Sequence, residues 1–192
     1  MPINIHEHAE DNLRFIRSAM ERAERVSAVS GAGAMAMGVI ALVAMAVGAT
    51  STELFRQLSV WVITAFVAGS VGALACAYKA RRNDMQFSAD PGRRFLLCLI
   101  PALLVGVVLT AALLPGAQAG LLPGLWMMLY GAGVLAAGTY AAPPVMHMGG
   151  SFLVAGVFTY ALPVEWANVL LGLTFGGLHL FFGYQVFRHH GG

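Results

Sequence analysis

The sequence predicts an all-α integral membrane protein: six transmembrane helices preceded by a cytoplasmic amphipathic helix. Three observations predict it. The 192 residues are 58% hydrophobic and 10% charged, with a mean hydropathy of +0.74, whereas an average soluble chain is about 25% charged. Six apolar runs follow a polar leader, and none of them contains Lys, Arg, Asp or Glu. The cations are sorted to one side of the resulting topology. So little charge cannot cover a water-facing surface. The composition therefore excludes a disordered chain and a nucleic-acid-binding domain, and two cysteines exclude a disulfide framework.

Residues 1–29 form the leader. It holds five of the nine acids, Glu7, Glu10, Asp11, Glu21 and Glu24, together with Arg14, Arg17, Arg22 and Arg25. Asn4 with Glu7 has the spacing of a capping box. Leu13, Ile16, Met20, Ala23 and Ser27 recur every three or four residues, which predicts an amphipathic helix over 5–28. Such a helix either lies under the bilayer with its arginines at anionic headgroups or docks on a partner or a second copy. The leader lacks the basic-then-apolar order of a secretory signal, so the first apolar run is expected to be an uncleaved anchor.

The six runs lie near 30–50, 58–78, 95–114, 121–141, 145–162 and 166–187 and make up a transmembrane domain over 30–187, before a tail at 188–192. About 20 residues cross a hydrocarbon core, and a backbone in hydrocarbon must satisfy its own hydrogen bonds, so the runs read as helices. The fifth is the shortest. The uncharged turn at Ala141-Ala142-Pro143-Pro144 leaves open a re-entrant pair in place of spans four and five. With six spans, one side collects Arg14, Arg17, Arg22, Arg25, Lys79, Arg81, Arg82, Arg93, Arg94 and Arg188, which leaves only Arg56 of the 11 cations opposite. The positive-inside rule then puts both termini in the cytoplasm. Trp61, Trp126 and Trp166 fall at the outer ends of spans two, four and six. Tyr78, Tyr140 and Tyr184 fall at their inner ends, as in an aromatic belt.

Small residues are plentiful. Gly172 with Gly176, Ala34 with Gly38 and Gly69 with Ala73 are four-residue steps that let helices approach closely, within one bundle or between copies. No hydrolase, zinc-protease, phosphate-loop or dinucleotide motif is present. The runs also lack the carboxylates used in proton- or sodium-coupled transport.

Two histidines lie inside apolar runs, where an ionisable group is a candidate functional site. His147 is 16 residues before Pro163 and His179 is 16 after it, so a hairpin of spans five and six places them at similar depth. Gly149-Gly150 and Gly176-Gly177 flank them symmetrically. One reading makes His147 and His179 axial ligands of haem b, with the glycines giving room to the macrocycle. A metal with Met146, Met148 or Cys is a variant. The plainer and favoured reading lets the glycines bring the spans together, each neutral histidine bonding a carbonyl, a Thr or Tyr, or interfacial water. Cys76 and Cys98 read as small apolar filler, with a redox or soft-metal pair as the alternative. The basic loop, with Lys79, Arg81, Arg82, Arg93 and Arg94, is a stop-transfer signal that also suits anionic lipid headgroups.

Four segments resemble a group of small bacterial polytopic inner-membrane proteins with no assigned activity. They are Asp11-Asn12-Leu13-Arg14-Phe15-Ile16-Arg17, Pro91-Gly92-Arg93-Arg94-Phe95, the LLPGLWMMLYG run at 121–131 and FGGLHLFFG at 175–183. The likeness spans most of the chain and departs at Asp11, where the group's pattern has Glu. It implies the bacterial inner membrane and transfers no site residue. The functions expected are thus a non-enzymatic sensor, scaffold or accessory protein acting through its cytoplasmic helix, a haem- or metal-binding protein, or a carrier or channel for a neutral or lipid-like molecule. The partners implied are the lipid bilayer, a second copy or a cytoplasmic protein, and no nucleic acid.

Overall fold

The computed structural model describes residues 12–13, 29–82 and 91–190. The helix expected over 5–28 thus lies, but for Asn12 and Leu13, outside the described residues. All the long elements described are helical. They are α1 (Gly31–Gly48), α2 (Leu54–Arg82), α3 (Pro91–Leu113), α4 (Leu122–Gly138), α5 (Pro143–Thr159) and a last rod. That rod runs through a short turn into α6 (Ala167–Leu171), a π-helical stretch Gly172–Leu178 and α7 (His179–His189). Each of the six apolar runs becomes one rod. Five rods, at 31–48, 55–82, 92–113, 118–138 and 164–189, are long and apolar enough to cross a membrane. The fifth run makes α5, which has 17 residues.

Local chemistry sets the ends. Ser30 caps α1 by accepting the N–H of Gly33 on its Oγ at 3.1 Å. Pro123 sits in the first turn of α4, and Pro143 and Pro144 open α5, where a missing N–H costs nothing. The turn between α4 and α5 closes through Ala141 N–H on the Gly138 carbonyl and Val145 N–H on that of Ala142. The two rods are separate helices in a tight antiparallel hairpin, the most intimately packed pair in the molecule.

Glycines at seven-residue spacing build the core. They are Gly31 and Gly38 on α1, Gly124, Gly131 and Gly138 on α4, Gly149 and Gly156 on α5, and Gly176 and Gly183 on the last rod. Seven residues are about two turns and return to almost the same face. In the α4–α5 pair, a Cβ at Gly131 would stand 2.7 Å from the Leu153 nitrogen and 2.8 Å from the Gly149 carbonyl oxygen. Gly31 meets Gly183 and Phe187, Gly38 meets Gly176 and Leu180, and Gly48 meets Asn168, so α1 and the last rod are zipped in the same antiparallel way. Two of the four-residue steps read from sequence do pack: Gly172 lies on Met45, Gly176 on Leu42, and Gly38 on the last rod. Gly69 has open space where its Cβ would be. The reason is helical phase, because α2 meets α1 through Gly72 against Met37 and Ala75 against Gly33.

α2 lies against α1 and α3 against α4, as flanks to this core. Both turn apolar side chains outward, including Ile63, Phe66 and Leu74 on α2 and Leu104, Val107 and Val108 on α3. The antiparallel order sorts charge. Among the described residues, Lys79, Arg81, Arg82, Arg93, Arg94 and Arg188 gather at one end, and Glu53, Arg56 and Glu165 at the other.

Two tryptophans bond across the bundle. Trp61 donates its Nε1–H to Asn168 Oδ1 at 3.0 Å, and Asn168 Nδ2 donates to the Met45 carbonyl at 3.0 Å. Trp126 donates to Thr110 Oγ1 at 2.9 Å. An indole N–H turned towards neighbouring helices is satisfied by a side-chain acceptor there. Trp166, Tyr78, Tyr140 and Tyr184 are exposed at helix ends. Asn168 is the buried polar link between α1, α2 and the last rod. Asn168→Ala is expected to lower stability by about 1–2 kcal/mol, because it orphans the Trp61 N–H and removes the Asn168 donor from the Met45 carbonyl, which keeps the Ala49 N–H. Unfolding in mild detergent, followed by tryptophan fluorescence, checks this; an unchanged midpoint would contradict it.

A buried tyrosine–histidine pair as the candidate functional site

The π-helical stretch delivers His179 into the core. A π turn inserts a residue into an α-helix, widens it, and is frequent at functional sites. Gly172, Gly176 and Gly177 supply the small residues of the stretch, with Gly172 and Gly176 held against α1. His179 follows as the first residue of α7 and is 2% exposed.

Both ring nitrogens of His179 are engaged. Nδ1 lies 2.8 Å from the Phe175 carbonyl oxygen, and Nε2 lies 2.7 Å from the Tyr130 hydroxyl. A carbonyl only accepts, so Nδ1 carries the hydrogen and donates it. In a neutral ring Nε2 then keeps its lone pair and accepts from Tyr130 O–H. Tyr130 comes from α4 and Phe152 from α5. With Phe175 they box the imidazole: ring centroids are 4.8 Å apart for Tyr130–Phe152, 4.7 Å for Phe152–Phe175 and 5.5 Å for Phe152–His179. Phe175 and His179 are stacked at 11°. Trp61 of α2 reaches the outer side of Phe175 at 6.4 Å. Three rods thus meet at one depth, about 12–15 Å from the basic end at 1.5 Å per residue.

His147 and His179 do not face one another. His147 is exposed, on an open groove with Leu135, Met146, Gly150, Ser151, Val154 and Ala155. The cause is again phase. Phe152 faces His179, and a residue five positions earlier lies about 140° round the helix. A pair of axial imidazoles needs two rings turned to one gap with free lone pairs; in this arrangement one ring faces outward and the other spends its lone pair on Tyr130. The residues therefore do not fit haem b held between them. For His179 the structure has what the plainer reading expected, a carbonyl and a tyrosine as partners. Among the described residues no three His, Cys, Asp or Glu side chains gather as a metal-holding group. Cys76 and Cys98 are free thiols, and Cys76 Sγ receives the Ser30 N–H at 3.4 Å.

The basic residues divide. Arg81, Arg82, Arg93 and Arg94 are exposed, with Arg94 5.8 Å from the centroid of the Tyr140 ring. Lys79, expected among the headgroup-binding cations, is 4% exposed. It follows Ala75 and Cys76 on the face of α2 that meets α1, so its stem points inward. Tyr130 escaped the sequence reading. Its signal was available, since it is a tyrosine in the middle of an apolar run while Tyr78, Tyr140 and Tyr184 stand at run ends.

The fold and site together define a protein that is helical throughout its described residues, with five helices among them fit by length and composition to cross a membrane, zipped by glycines around a buried histidine bonded to a tyrosine. Comparison with known family models, curated proteins and solved structures gives no match.

Proposed function

We propose that the chain is a polytopic protein of the bacterial inner membrane, with six spans and both termini in the cytoplasm. In this reading it works without covalent chemistry, as a sensor or accessory protein whose cytoplasmic segment engages a partner or a second copy. The observation that carries the reading is the Tyr130–His179 pair. Its groups are engaged with each other and with Phe175, in a core filled by Phe152 and Met127. An imidazole so enclosed, at 2% exposed, can hold or release a helix shape but is shielded from a substrate. The outward apolar faces of α2 and α3 support insertion, since hydrocarbon, unlike water, imposes no penalty on them. The gathering of cations at one end supports the orientation.

Reporter fusions test the orientation. Fluorescent-protein fusions within 83–90 and after residue 190 should fluoresce, and alkaline-phosphatase fusions after residues 51, 116 and 162 should be active; the reverse pattern would overturn it. Deleting residues 1–28 tests the role. Chemical crosslinking in membranes should then lose the higher-mass species formed by the full chain. An identical crosslinking pattern with and without the segment would sink the proposed partner contact.

A further inference from the structure

Lys79 is the only charged side chain buried among the described residues. Its Nζ donates to the Val29 carbonyl at 3.2 Å and to the His190 carbonyl at 3.2 Å. These two acceptors have special positions. Val29 immediately precedes Ser30, the cap of α1, and so forms the root of the N-terminal segment. His190 is the C-cap of α7, where the carbonyl end of a helix carries partial negative charge. A buried ammonium is costly unless hydrogen-bonded, so its placement between two backbone carbonyls holds both of them in place. Ser30 N–H on Cys76 Sγ, one turn earlier on α2, pins the same junction.

We propose that Lys79 is a latch that ties Val29, at the start of α1, and His190, at the end of α7, to α2, so that the two ends are held and released together. Without the Nζ donor, Val29 and His190 lose the same tie to α2.

The test is amide hydrogen exchange on the full chain in lipid nanodiscs, comparing wild type with Lys79→Met and Lys79→Arg. Lys79→Met removes the donors and keeps the apolar stem. Exchange should rise about tenfold in peptides covering 29–36 and 184–190 together, with α4 and α5 peptides unchanged. Lys79→Arg, which retains a cation and several donors, should stay within about threefold of wild type. A rise in the α1 peptide alone, or in neither peptide, would overturn the latch. Should Lys79→Met unfold the bundle, Lys79→Gln decides the question with a shorter neutral side chain: coupled release supports the latch, and unaltered exchange overturns it. Failure of the fusion pattern would remove the orientation without touching the latch. A flat exchange profile would remove the latch without touching the orientation.

Discussion

Gly149→Val is expected to prevent the α4–α5 hairpin from forming, and Gly149→Ala to destabilise it by about 3 kcal/mol. A Cβ at Gly149 would fall on the Leu135 backbone, where it meets the nitrogen, the Cα at 2.7 Å and the Gly131 carbonyl oxygen at 2.9 Å. Backbone of a neighbouring helix cannot turn aside as the end of a side chain can. The helices must separate, and separation at one level loosens the contacts at Gly124, Gly131, Gly138 and Gly156 together. Dispersion falls steeply over half an ångström, so a small displacement is expensive when it runs along the whole interface. Gly69→Ala and Gly150→Ala are the controls, because nothing stands within 4 Å of a Cβ at either position. There the substitution should be neutral or stabilise by up to about 1 kcal/mol, since alanine is the better helix former. Unfolding titrations in mild detergent, read by circular dichroism, compare the three. If Gly149→Ala proves as harmless as Gly150→Ala, the backbone contact between α4 and α5 is wrong.

His179→Ala should carry the other large effect, a loss of about 3–5 kcal/mol. It opens a cavity within the aromatic box and strands the Tyr130 hydroxyl. Tyr130→Phe keeps the ring contacts and removes only the donor, leaving Nε2 of His179 buried without a partner, for about 1–3 kcal/mol. The double variant should cost less than the sum of the two, because once one partner is gone the other has nothing left to lose. A coupling of about 1–2 kcal/mol is expected from such a cycle. Strict additivity would show that the two side chains do not share the hydrogen bond. His147→Ala, at an exposed position, should be nearly neutral in the same assay.

Much of this molecule could be read from its sequence because the relevant signals are local. An apolar run of about 20 residues is too long for a strand and satisfies its own backbone as a helix, and all six runs did. Pro123 and the Pro143-Pro144 pair mark helix starts through their own ring geometry. The sorting of cations follows from counting spans. The depth of His179 was readable too, since it follows from the rise per residue.

Its direction was not. His147 and His179 share a level in a hairpin by arithmetic, yet which way each ring points depends on the rotation of its helix. A π turn between Gly172 and Leu178 changes that rotation within the rod itself. The same holds for Lys79, which the sequence groups with four exposed arginines and the fold turns inward beneath α1 and α7. It holds for Trp61 and Trp126, whose positions suit an interface but whose N–H groups find acceptors on neighbouring helices. Composition, spacing and charge by themselves determined a bundle of apolar helices with a basic end. Which faces meet, and therefore that a tyrosine seals the histidine and a lysine clasps two chain ends, was decided only by tertiary packing, because helix rotation is set by contacts between residues far apart in the chain.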